Sequence, residues 1–191
     1  MTLHQPVKMQ QSTSYSTLLP YPNLPPPMVD GPVGARVVPI IPYKHSSKWN
    51  STVGRHREPF VVTFDTRGMP EGYGVKHGDL TSYSLMIMNT VIVRGGDTVR
   101  FPTPGKKIQL RIVWPGYDSV DFSSMIDIQE ITVSELAGRV ASLYTDYFQI
   151  ARQRNCTEYG WSFTAEALAT LRVLNIRNVY DNVFQAEVAF G

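Results

Sequence analysis

Four histidines, one cysteine and two glycine-containing charged turns are the residues whose types could carry chemistry. His4, His45, His56 and His77 are scattered, with no HExxH and no paired spacing that would place two imidazoles on one metal. His77-Gly78-Asp79 brings an imidazole within reach of a carboxylate, the pair a general base needs. Its plainer reading is a surface loop contact. Arg94-Gly95-Gly96-Asp97 and Pro104-Gly105-Lys106-Lys107 hold too few glycines, in the wrong order, for a phosphate cradle. Cys156 lies in a polar stretch without a neighbouring base, and as a single cysteine it excludes an internal disulfide and a multi-cysteine metal site. No catalytic residue, metal site or cofactor is therefore expected, and the chain reads as non-enzymatic. The catalytic alternative would use loop 68–79.

Several elements would have to position any site. "ITVSELAGRV" opens a helix: Thr132 as N-cap and Glu135 three residues on form a capping box, and Ile131 and Leu136 a hydrophobic staple. Val133, Leu136, Ala137, Val140, Leu143, Tyr144, Tyr147, Phe148 and Ala151 then recur at three- and four-residue steps, giving an amphipathic helix over 133–153. Its polar face holds no catalytic pair, so the helix is expected to cover a sheet. "PFVVTFDT" (59–66) alternates as a strand, and "KIQLRIVW" (107–114) sets Ile108, Leu110, Ile112 and Trp114 on one face. "SYSLMIMNTVIV" (82–93) reads as a long apolar strand, and "DSVDF" and "SMIDIQEI" as two short ones. "WSFTAEALATLRVL" reads as a shorter second helix, and "QAEVAF" (185–190) as a strand closing the sheet. The expected class is α+β, an antiparallel sheet packed by one long and one short helix.

Composition divides the chain. Residues 1–57 hold nine of the fourteen prolines and carry a net charge of +5, whereas residues 58–191 carry −3. The reading is a proline-rich basic arm over 1–57, extended rather than packed, followed by one globular domain over 58–191. Within the arm, Val37, Val38, Ile40, Ile41 and Tyr43 are too apolar to leave in water and are read as a self-association segment. Lys44, Lys48, Arg55 and Arg57 suit an anionic membrane surface, nucleic acid or an acidic neighbouring subunit. No apolar run is long enough to span a bilayer, and the polar start does not serve as a signal peptide, so neither secretion nor membrane insertion is expected. The acceptor-like triplets at Asn50 and Asn155 are accordingly read as chance.

Two resemblances bear on function. Tyr21-Pro22-Asn23-Leu24 resembles the YPxL late-domain motif by which viral structural proteins engage the ALIX-type arm of the host scission machinery. Tyr21 and Leu24 would fill separate pockets from a peptide that Pro22 holds extended. The helix start, through Thr132, Ser134, Glu135, Leu136, Ala137 and Val140, resembles the first core helix of rhabdovirus-type matrix proteins. That resemblance implies a virion matrix or coat component that self-assembles by laying an N-terminal segment on a neighbour. It also implies contact with nucleocapsid and membrane, recruitment of host budding machinery, and a place in the virion and the host cytoplasm beneath a membrane. The chain departs from the family in lacking an N-terminal lysine cluster and a PPxY motif. The stretch from Pro102 to Val140 also resembles an uncharacterised domain family of basidiomycete fungi, which would imply a cellular interaction module with a recruiting tail.

Overall fold

The structure, a computed structural model, describes residues 34–40 and 60–191. β1 (Arg36–Val37), β2 (Val61–Thr63), β3 (Val75–Lys76), α1 (His77–Ser82), α2 (Leu85–Val91), β4 (Lys107–Ile112), β5 (Phe122–Asp127), α3 (Val133–Ala151), α4 (Ala165–Thr170), β6 (Arg172–Tyr180) and β7 (Val183–Phe190) succeed one another along the chain. The sheet runs β2-β6-β7-β4-β5, with β1 against β7 and β3 against β6. Every pairing is antiparallel except β4 with β7, which is parallel, so the sheet is mixed.

Register assigns the two faces. Val62 opposes Ile176, Ile176 opposes Ala186, Leu110 opposes Phe184, and Ile108 opposes Ile126. This apolar row packs beneath α3, whose Leu136, Ala137, Val140, Ala141, Tyr144 and Tyr147 are buried. The opposite face pairs Asn175 with Glu187, Arg177 with Gln185, and Gln185 with Arg111. α3 begins where the sequence requires: the Thr132 hydroxyl accepts from the Glu135 amide at 3.2 Å, and the Glu135 carboxylate accepts from the Thr132 amide at 2.9 Å. Its remaining first-turn N–H groups are taken by the loop after α2, Val133 to the Asp97 carbonyl and Ser134 to that of Gly95.

Several expectations are corrected. Residues 82–93 form no strand but the helix α2 and its exit. A uniformly apolar run cannot show which period it follows. Leu and Met favour a helix, and Met88 and Ile92 are buried while Thr90 between them is exposed, which a strand's two-residue period would not give. "DSVDF" and "SMIDIQEI" supply one strand, β5; two turns, closed by Tyr117 N–H to Trp114 O and Val120 N–H to Tyr117 O, occupy the residues before it. The second helix stops at Thr170, and Arg172 onward is β6, a central strand that the sequence reading took for helix and loop. β7 does not close the sheet but lies in its middle. Loop 68–79 ends early, because Val75–Lys76 pair with β6 and His77 starts α1. A two-residue strand, β1, lies in the stretch read as an arm without strand structure; it is too short to show a period.

Candidate functional site

The residues read as binding elements fall in two groups. Tyr21, Pro22, Leu24, Ile41, Tyr43, Lys44, Lys48, Arg55 and Arg57 lie outside the described residues. Val37, Val38 and Ile40 are described and rest on their own chain. Val37 pairs with Ala189, the Val38 amide donates to the Val188 carbonyl at 2.8 Å, Val38 is buried, and Ile40 is half-buried. Arg36 secures this strand: its guanidinium lies 3.7 Å from the Trp161 ring centroid and its Nη1 donates to the Gly160 carbonyl at 2.6 Å.

The chemically suggestive residues are held in structural roles. His77 is buried at the start of α1, with Nε2 2.9 Å from the Thr145 hydroxyl on α3. Burial lowers its pKa, and a backbone hydrogen bond to Ala141 partly offsets the change. Asp79 is not its partner. Cys156 donates its S–H to the Glu158 carbonyl at 3.1 Å. Among the described residues no three His, Cys, Asp or Glu side chains gather as a metal site. No helix among them is long and apolar enough to cross a membrane.

The surface that departs from an ordinary globular exterior is α2. From Leu80 to Val93 the chain carries no charged residue. Met86 is 77% exposed, and Tyr83, Leu85 and Ile87 are also exposed around it. The flanking segment 65–67 is tied to the end of α2 by Arg67 N–H to Val91 O and Val93 N–H to Asp65 O, which brings exposed Met69 and Val93 into the same region. Arg67 caps the helix end, donating Nε to the Thr90 carbonyl at 3.1 Å.

Why this short helix shows its apolar side to water follows from its anchorage. Met88 is its only buried side chain, and Ile92 follows one turn later. Gly95 then brings the chain so close to α3 that a Cβ there would stand 2.4 Å from Ser134 Oγ and 2.9 Å from Asn89 Cα. The same contact delivers the Gly95 carbonyl to α3, so α2 is fixed on the start of α3 with its other face outward. Contiguous apolar exposure of this kind is uncommon on a globular surface. Sequence reading missed it because it assigned the run to a long apolar strand, and a run without alternation does not show which side faces water. No family model matches the chain, and no curated protein or solved structure is significantly similar to it.

Proposed function

We propose that the protein is a non-enzymatic structural protein that self-assembles, a virion matrix or coat component lying beneath a membrane. The observation that carries this reading is the exposed apolar ridge of Leu85, Met86 and Ile87 on a helix anchored from behind, with exposed Tyr83 just before it. Two further features support it. The strand Arg36–Val37 holds its sheet through two register pairs and one further backbone hydrogen bond, few enough to form between copies as well as within one. The basic residues Lys44, Lys48, Arg55 and Arg57 suit a nucleocapsid RNA or anionic lipid partner, and Tyr21, Pro22 and Leu24 an ALIX-type scission adaptor.

Light scattering and negative-stain electron microscopy of the full chain test this reading. The expected result is ordered sheets or filaments that Leu85→Ser with Met86→Ser disperses without lowering the thermal midpoint, because both residues are exposed. A wild-type protein that stays monomeric across the accessible concentration range overturns it.

A further inference from the structure

A second surface lies at the other end of α3. Tyr117, Phe148, Arg152, Arg154, Ser162 and Thr164 are among the residues lining a cleft of about 580 Å³ between the last turn of that helix and the start of α4. Its floor is rigid. Phe163 stacks on Trp114 at 4.2 Å between centroids and meets Phe148 edge-on at 5.6 Å, and its backbone N–H donates to the Tyr117 hydroxyl at 3.1 Å. Gly116 makes the wall possible: with φ +78° it passes so near loop 156–158 that a Cβ would stand 2.5 Å from Cys156 Sγ. Behind the floor, the Tyr147 hydroxyl is buried and has no hydrogen-bond partner. Burial raises its pKa, and so do the neighbouring Tyr117, Cys156 and Asp118.

The rim is cationic. Arg152 and Arg154 line the cleft, no Asp or Glu among the described residues does, and neither guanidinium is ion-paired to a described residue. Asn155, Ser162 and Thr164 bring an amide and two hydroxyls to the same space. Two guanidiniums with added hydroxyl donors offer more hydrogen bonds than the two oxygens of a carboxylate accept, and they match a phosphate group. The cleft is larger than phosphate alone and open to solvent, so a bound group would be held chiefly at the charged rim. Phe148, half-buried on the wall, is the aromatic side chain left to meet a planar body beside the anion.

We propose that this cleft binds a small phosphoester of nucleotide size, its phosphate on Arg152 and Arg154 and its body against Phe148. The site shares no residue with the apolar ridge and stands or falls independently of the assembly reading. Calorimetric titration of the full chain with uridine monophosphate and with inorganic phosphate, beside flotation with phosphatidic acid vesicles, tests it. Uridine monophosphate should saturate one site and bind more tightly than inorganic phosphate. Arg152→Ala with Arg154→Ala should weaken it at least about tenfold, since each charge-assisted hydrogen bond lost is worth that much. Arg100→Ala with Arg139→Ala, equal in charge change but elsewhere, should leave it unaltered. Ala165→Trp, which fills the cleft without removing charge, should also abolish binding. Absence of saturable binding, binding equally weakened by both double variants, or binding of vesicles alone overturns the proposal.

Discussion

Glu187 has no exposed surface, yet it carries a carboxylate in the middle of the sheet. Asn175 Nδ2 donates to its Oε2 at 2.7 Å, and Arg177 Nη2 donates to the same oxygen. A buried charge deprived of its partner is among the costliest single changes. Arg177→Met should therefore destabilise the protein by about 3–5 kcal/mol in urea unfolding, as breaking a buried pair does. Arg94 and Asp97 form the exposed counterpart, 2.6 Å apart with half or more of each side chain in water. Asp97→Asn should cost less than about 1 kcal/mol, because solvent and salt screen such pairs. His77 gives a pH dependence of definite sign. Its folded-state pKa lies below the unfolded value near 6.5, so the unfolded chain binds the proton more readily. Its contribution is intact above that value and is lost as pH falls through the unfolded pKa toward the lower folded one. Thermal midpoints between pH 7.5 and 5 should fall in the wild type and fall less in His77→Gln; equal slopes would refute the assignment.

At the level of elements, α3 joins the sheet to both proposed surfaces, so its apolar face should govern stability. Leu136→Ala should cost about 2–5 kcal/mol, as large-to-small core changes do. Thr132→Ala should cost about 1 kcal/mol through the lost cap. Arg139→Ala, on the exposed side, should cost less than about 0.5 kcal/mol. Chemical denaturation of the three variants checks the ranking, and a neutral Leu136→Ala would make α3 an interface rather than a core element. This helix was legible because capping residues act locally and an amphipathic stripe repeats at 3.6 residues. β4 was legible because Ile108, Leu110 and Ile112 alternate with Gln109 and Arg111. β6 was not: it is buried along much of both faces, and an irregularity between Val173 and Asn175 breaks its period. Nor was α2, whose apolar side faces water and so reverses the rule by which buried faces are inferred. The cleft draws on residues 117, 148–156 and 162–165, brought together by tertiary packing that no local spacing announces.

Across the whole molecule, the ridge and the cleft lie at opposite ends of α3, whose 19 residues span about 28 Å at 1.5 Å per residue. A partner on one proposed surface leaves the other open. The N-terminal segment completes the picture, because its strand sits on β7 beside Trp161 rather than apart from the domain. Truncation separates the two roles assigned to that half of the chain. Removing residues 1–33 gives the reference midpoint, because it leaves the strand β1 in place. Removing residues 1–57 should not be silent. It strips the buried Val38 side chain, worth roughly 1.5–3 kcal/mol on burial. It also strips the Val38–Val188 backbone hydrogen bond, worth about 1 kcal/mol net. The cation–π contact of Arg36 on Trp161 adds about 0.5–1 kcal/mol. The shorter chain should still fold, since β2 to β7 and all four helices remain, but with a lower midpoint. A peptide spanning residues 34–43, added in excess, should raise that midpoint and bind in trans. Rescue would show that β1 can be supplied by another molecule, the step that self-assembly through this segment needs. If the 1–57 truncation unfolds outright, β1 belongs to the folding unit and exchange between copies is not its role.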